Sequence, residues 1–126
     1  MSFPTLSEFP ALVPEVERAL AYTEGTHTVA DIQAMITAGH AQLWPGERSV
    51  VVTQLRETPQ KRLLHVFLAA GAMDEIQRLM PIVYEWGTAM GCTGASFTGR
   101  KGWARTFVTK EHGWEAKWTT FTKALS

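Results

Sequence analysis

One stretch of this chain has the residue order that phosphate-binding turns use. It reads HVFLAAGAMDEIQRL, from His65 to Leu79, and runs from a strand-like apolar segment through a glycine into a helix-like pattern. Glycine lets a backbone approach a ligand closely, and the free N–H groups that begin a helix attract anions. Asp74 and Glu75 fall in the first helical turn, where they suit the helix dipole but repel a phosphate. Because no neighbouring cation offsets them, we predict a chain reversal, with phosphate binding as the alternative.

The histidines and the cysteine give little sign of metal or nucleophile chemistry. No two histidines stand four residues apart, no HExxH motif occurs, and the single cysteine, Cys92, allows neither an intrachain disulfide nor a zinc site of several thiolates. A buried, inert thiol is the default for such a residue. We therefore predict no metal site. The four histidines are His27, His40, His65 and His112.

Charge is unevenly distributed along a chain whose formal net charge is zero. Residues 1–60 hold seven acidic and three basic residues, whereas residues 100–126 hold six basic and two acidic ones. Bases interleaved with tryptophans suit protein contacts or nucleic-acid stacking, and a solvated face is the alternative. We predict protein contact, with nucleic acid the weaker possibility because the whole domain is not basic. The predicted partner-binding residues are Arg100, Lys101, Trp103, Arg105, Trp114 and Trp118.

Length and hydropathy favour one domain that covers residues 1–126. The chain is 45% hydrophobic, which allows a single core. No apolar run is long enough to span a membrane, and no signal peptide is recognised at the start, so we do not expect secretion. Residues 1–10 contain two prolines and little periodicity, and we predict an irregular N-terminal arm there.

The apolar spacing predicts an α/β fold with elements in the order α-α-β-β-β-α-β-α-β. About five strands should form a mixed sheet flanked by helices, with the first three strands in an antiparallel meander. Thr28 should cap the second helix, Gly39 should end it, and Pro81 should kink or break the third. The predicted segments, from residue 12 onward, are 12–21, THTVADIQAMITAGH, AQLW, SVVVTQLRE, LLHVFLAA, MDEIQRLMPIVYEWGTAMG, TGASFTG, RKGWARTFVTKE and WEAKWTTFTKAL.

This order and three local segments resemble the GNAT superfamily of N-acetyltransferases. LLHVFLAAG leading into AMDEIQRL is similar to the family's central strand and the helix that holds the acyl-CoA pyrophosphate. YEWGTAMGCTGASFTG is similar to the end of that helix and the next strand, and GRKGWARTFVTKEHGWEAK to the following helix, turn and last strand. The resemblance covers roughly residues 12–123. More narrowly, the chain resembles small GNAT-like proteins encoded by tailed bacteriophages.

The resemblance implies a cofactor site and catalytic residues, which this sequence matches only in part. Gly71, Ala72 and Met73 hold the positions of the pyrophosphate turn, but the Arg or Gln that precedes the family's glycine is absent. The helix that usually supplies a tyrosine acid holds none, and the family's general base would fall to Glu57 or His65. A hydrogen-bonded core histidine is the alternative for His65.

From these departures we expect a non-catalytic bacteriophage protein. It would be a virion component or assembly factor, located in the virion or the host cytoplasm, with other phage or virion proteins as partners and without a cofactor. One alternative is an acetyl-CoA-dependent N-acetyltransferase. A second is an anti-host factor that binds a bacterial protein.

Overall fold

The computed structural model describes residues 9–21, 25–99 and 101–125. The first helix, α1 (Phe9–Leu20), begins three residues before the predicted start at Leu12 and takes the last two residues of the predicted arm. The rest of that arm lies outside the described residues. Among the residues that the structure describes, no helix combines the length and apolar character that a membrane span requires.

The second helix, α2 (Val29–Thr37), confirms the predicted cap and stop. The Asp31 amide donates to Thr28 Oγ1 at 3.2 Å, and the Thr28 amide donates to Asp31 Oδ2 at 2.8 Å, which completes a capping box. Gly39 has a φ of +79°, the left-handed conformation that commonly follows a helix end.

Four strands form one mixed sheet in the order β1-β2-β3-β4. The first three pair antiparallel as the predicted meander, and the fourth lies parallel to β3 after a crossover through α3 (Met73–Ala89). The strands are β1 (Gln42–Pro45), β2 (Ser49–Glu57), β3 (Arg62–Gly71) and β4 (Gly94–Phe97). The α/β fold and its mixed sheet are confirmed, with four strands where about five were predicted.

Apolar side chains cover both faces of the sheet. Helices α1 and α2 pack on one face and α3 packs on the other. The first cluster includes Leu12, Val16, Ile32, Val50, Val52 and Leu68. The second includes Val51, Leu64, Val66, Ile76, Met80 and Val83. β3 contributes to both, so it lies in the middle of the domain.

Helix α3 runs through Pro81 without the predicted break. Pro81 lies on the exposed side of the helix, and the carbonyl that loses its N–H partner belongs to the half-buried Gln77 one turn earlier. The helix ends at Ala89, and Gly91 follows with a φ of +85°.

The C-terminal third departs from the prediction twice. The single predicted helix is a 3-10 helix (Lys101–Arg105) followed by the one-turn helix α4 (Phe107–Lys110). Thr106 separates them, because its hydroxyl donates to the Trp103 carbonyl at 2.7 Å and accepts from the Val108 amide at 3.3 Å. The predicted last strand is also wrong, since residues 114–125 form no helix or strand and pair with none of the described strands.

A cleft between diverging strands as the candidate functional site

Strands β3 and β4 pair over only four residues and then separate. Leu63–Val66 pair with Gly94–Phe97, and no pairing continues beyond Val66. On the other side of β3, Val52 pairs with Leu68 and Thr53 pairs with Val66, which leaves Phe67 as an extra residue in the strand. Such a β-bulge bends its strand and increases the local twist. The bend at Phe67 coincides with the point where the two strands part.

The gap between the strands is a cleft with a volume of about 840 Å³. Its walls come from β3 and the turn after it, the end of β4, the 3-10 helix and α1, so the cleft adjoins the glycine turn. The residues that the sequence predicted for a cofactor, Gly71, Ala72 and Met73, all line it, and so does Trp103. Further lining residues include Glu15, Arg18, Arg48, Val66, Phe67, Ile76 and Phe97.

The turn from β3 into α3 contains a single residue, Ala72. Its N–H donates to the Arg48 carbonyl at 2.9 Å, so this amide is already used inside the protein. Gly71 has a φ of +114°, and a Cβ there would lie 2.1 Å from the Arg48 oxygen and 2.5 Å from Ser49 Cα. The glycine is therefore required because the end of β3 lies beside the start of β2 with the backbone of Arg48 and Ser49 close against it, a structural role that needs no phosphate.

Both carboxylates of the first helical turn have cationic partners, so the expectation that nothing offsets them is wrong. Glu75 Oε1 accepts from the Arg48 amide at 2.9 Å and the Ser49 hydroxyl at 2.8 Å, and Glu75 Oε2 pairs with Arg48 Nε at 3.3 Å. The hydrogen bond from the Arg48 backbone N–H, and next the hydrogen bond from the Ser49 hydroxyl, lower the pKa of Glu75 and keep its carboxyl group ionised. Asp74 pairs with Arg78 at 3.5 Å on the surface.

Removing the Glu75 carboxylate should loosen the junction between β2 and α3. In Glu75→Ala, the Ser49 hydroxyl, which is fully buried, and the Arg48 amide lose their acceptor. We expect the melting temperature in differential scanning calorimetry to fall by several degrees. Asp74→Ala is the matched control, because it removes only an exposed ion pair and should leave the melting temperature nearly unchanged. Equal effects of the two substitutions would contradict this assignment.

The turn does not match the diphosphate cradle that the resemblance implies. Such a cradle needs several successive N–H groups that point at the ligand. Here the N–H of Ala72, the one connecting residue, already donates to the Arg48 carbonyl. The Glu75 N–H donates to the Ala72 carbonyl at 3.1 Å. Met73 and Asp74 are the remaining first-turn donors, and the Asp74 side chain carries a negative charge. These residues do not fit an acyl-CoA diphosphate.

Neither predicted base is placed to act in the cleft. Glu57 pairs with Arg62 at 2.5 Å at the far end of β2, about 13 Å along the sheet from Val66, the first cleft residue of β3. His65 is buried, its Nδ1 lies 2.9 Å from Ser96 Oγ, and it does not line the cleft. Burial, assisted by the charge of Arg56, lowers the pKa of His65 to about 4, so it is a weak base at neutral pH.

The predicted partner-binding residues separate into packed and exposed groups. Trp103 and Trp114 each pack against the Phe97 ring, with centroid distances of 5.9 and 5.3 Å. Trp118 is 92% exposed and Arg105 is also exposed. Arg100 and the side chain of Lys101 lie outside the described residues. The aromatic residues of this region therefore divide between the core and the surface.

A second cavity, of about 470 Å³, contains a polar cluster that the sequence did not reveal. The Trp114 indole N–H donates to the Tyr84 hydroxyl at 2.8 Å, and that hydroxyl lies 2.9 Å from His112 Nδ1. Burial raises the pKa of Tyr84, so the phenol stays protonated within this cluster. Tyr84 is 28 residues from His112 and 30 from Trp114. Residues so far apart give no local signal of their contact.

Comparisons with known proteins identify the fold through structure alone. No protein-family model and no curated protein sequence matches this chain. Among solved structures, a probable acetyltransferase is 8% identical with a TM-score of 0.73, and the alignment covers 98% of this chain and 96% of that one. An aminoglycoside acetyltransferase from an uncultured soil metagenomic sample, in complex with sisomicin, is 13% identical with a TM-score of 0.70 and coverages of 96% and 90%.

A ribosomal-protein-alanine N-acetyltransferase from Brucella melitensis biovar Abortus 2308 is similar to the same extent. It is 9% identical with a TM-score of 0.69, and the alignment covers 98% of this chain and 97% of that one. Full-length agreement at such low identity establishes the fold. The protein has a GNAT-like fold, and the diverging strands, the bulge and the cleft between them are features of that domain in this chain. These likenesses bear on neither a bacteriophage source nor a virion role.

Proposed function

We propose that this chain is a non-catalytic protein with a GNAT-like fold that works through protein contacts. As its setting we propose a bacteriophage particle or its assembly, which rests on the resemblance of the sequence to phage proteins. The observation that carries the non-catalytic part is the one-residue turn before α3, whose amide donates to Arg48 at 2.9 Å. A turn so short leaves too few free donors for a diphosphate.

The ionisable side chains of the cleft also support this proposal. Acetyl transfer to an amine needs a base for the ammonium group and an acid for the leaving thiolate. Among the described residues that line the cleft, the ionisable ones are Glu15, Arg18 and Arg48. Glu15 pairs with Arg18 at 2.6 Å, and Arg48 pairs with Glu75. Two guanidinium groups and one paired carboxylate are a poor set for moving protons near neutral pH.

Calorimetric titration with acetyl-CoA and with CoA tests the non-catalytic part. We expect no binding at micromolar concentrations of ligand, with an active N-acetyltransferase as the positive control. The variant Asp74→Asn/Glu75→Gln separates charge from geometry. If repulsion alone excluded a diphosphate, this variant would gain binding, and we expect no gain because the Ala72 amide stays occupied. Micromolar binding by the wild type would overturn the proposal.

The particle role needs a separate measurement. Mass spectrometry of purified particles from the source of this chain should detect it at a fixed copy number, or should detect it in assembly intermediates that mature particles lack. Its absence from both would contradict the proposed setting and leave the argument about the cleft intact.

A second candidate is an acetyl-CoA-dependent N-acetyltransferase, which the cleft itself favours. The cleft measures about 840 Å³, and several proteins of the same fold are described as acetyltransferases. Incubation with acetyl-CoA and a panel of primary amines, followed by release of free thiol, distinguishes the two candidates. Turnover that saturates with one amine would establish this activity in place of the first proposal.

A further inference from the structure

Two parts of the molecule are left open in a single copy. One is the outer edge of β4, since β3 occupies its inner edge and none of the described strands pairs with the other. The second is residues 115–125, here named the C-terminal arm, which form no helix or strand. Both surfaces are of the kind that proteins normally cover.

The edge formed by β4 lacks two of the usual protections against pairing with another chain, proline and charged side chains. At the opposite edge of the sheet, β1 is four residues long and ends at Pro45, which has no N–H to offer. β4 reads GASF, with neither a proline nor a charged residue, and Gly94 and Ala95 are exposed. An edge without proline or charge can accept an added strand, although the four-residue length of β4 limits the number of backbone hydrogen bonds that the added strand can form.

The C-terminal arm has the composition of a β-strand. Trp118, Phe121 and Leu125 are 92%, 91% and 94% exposed. The arm and the residue before it alternate as strands do, with Trp114, Ala116, Trp118 and Thr120 on one side. Three large apolar side chains within eight residues are too many to leave in water without a function.

We propose that the C-terminal arm of one copy pairs as a strand with the outer edge of β4 in a second copy, and that the exchange is reciprocal. The 470 Å³ cavity at this edge is lined by Leu64, Tyr84, Cys92, Ala95 and Trp114, and also by Glu115 and Lys117 at the start of the same copy's arm. It accepts one aromatic side chain of the arriving arm. Trp114 fixes the base of the arm at the same cavity by donating to Tyr84 at 2.8 Å. The arm therefore leaves from the place where the partner's arm arrives, as a two-fold axis requires.

The area available matches what a stable dimer needs. The two aromatic residues and the leucine of each arm would bury roughly 500 Å², on the basis of about 150–250 Å² for an aromatic side chain. Two arms and the surfaces that they cover would bury roughly 2,000 Å², the upper part of the range for stable interfaces. This inference is independent of the proposed function. The arm and the edge of β4 take no part in the argument against cofactor binding.

Disulfide trapping tests the exchange, since Cys92 is the only cysteine and lines the receiving cavity. Two tagged variants are used, Cys92→Ser/Thr119→Cys and Cys92→Ser/Thr120→Cys. Their new cysteines are at exposed positions that would face opposite sides of a strand. Mixed with the untagged wild type under mild oxidation, one of them should form a covalent heterodimer with Cys92. Tagged Cys92→Ser/Ala38→Cys is the matched control, because Ala38 is exposed at the end of α2, and no heterodimer should form.

Light scattering after size exclusion gives the second readout. The wild type should elute as a dimer, and Trp118→Ser/Phe121→Ser should elute as a monomer with an unchanged circular dichroism spectrum, because both side chains are already exposed in one copy. A wild type that stays monomeric, a double variant that stays dimeric, or an intrachain disulfide in a Thr119→Cys or Thr120→Cys chain that keeps Cys92 would overturn the exchange. The last result would mean that the arm pairs with its own β4.

Discussion

Replacing Gly71 with alanine should destabilise the protein by about 3–5 kcal/mol, the range of severe single substitutions. Two costs combine at this position. The backbone has a φ of +114°, which side chains with a Cβ rarely adopt. The added Cβ would also lie 2.1 Å from the Arg48 oxygen and 2.5 Å from Ser49 Cα, which are backbone atoms and cannot rotate away. Urea unfolding followed by tryptophan fluorescence measures the difference.

Alanine substitutions at two further glycines are the controls for this prediction. Gly39→Ala has a φ of +79° with nothing within 4 Å of the new Cβ, so it should show the conformational cost alone, about 1 kcal/mol. Gly102→Ala, which also meets nothing within 4 Å, should change stability very little. If Gly71→Ala lowered the free energy of unfolding no more than Gly39→Ala, the close contact between the end of β3 and the start of β2 would be contradicted. A ligand-binding reason for the glycine would then be favoured again.

Local chemistry explains which elements were predictable from the sequence. The α2 cap depends on Thr28 and Asp31, three residues apart, and its stop depends on Gly39. The meander follows from short turns between apolar strands, such as the one at Thr58, whose hydroxyl accepts from the Lys61 amide at 3.0 Å. Each of these signals acts within a few residues, so neighbours in the sequence are enough to define the structure.

The elements that were mispredicted depend on distant partners. Residues 114–125 alternate like a strand, but a strand exists only where another backbone pairs with it, and none of the described strands pairs with this segment. The helix expected across residues 100–111 divides because the Thr106 side chain bonds to the backbone on both sides of it. Such competition is visible in the composition only after the geometry is known.

The candidate site was half predictable for the same reason. The position of the glycine turn was predicted correctly, since β3 ends at Gly71 and α3 begins at Met73. The ion pair at this turn was not predicted, because Arg48 and Glu75 are 27 residues apart and meet only when the start of β2 packs against α3. The bulge at Phe67 has no sequence signature, although it coincides with the parting of the strands.

His65 should make the folded state lose stability as the pH falls from about 6.5 to about 4. In the unfolded chain its imidazole takes a proton near the ordinary histidine pKa of 6.5, whereas burial lowers the pKa in the folded protein to about 4. Between these values the unfolded state binds more protons than the folded state, so the free energy of unfolding decreases as acid is added. Below about pH 4 both states are protonated, and this contribution levels off at no more than about 3 kcal/mol.

His65→Gln isolates this contribution, since glutamine retains a donor and an acceptor for Ser96, whose hydroxyl lies 2.9 Å from the imidazole, and cannot charge in this range. Between pH 7 and pH 5 the wild type should lose about 2 kcal/mol more than the variant, as urea unfolding at each pH would measure. Above pH 5 this difference is separate from the acid loss of Glu75 and Asp31, whose lowered pKa values act further down the scale and in both proteins alike. Parallel curves for the two proteins would mean that His65 is hydrated in the native state, and a hydrated imidazole beside Val66 would again be a candidate base for the cleft.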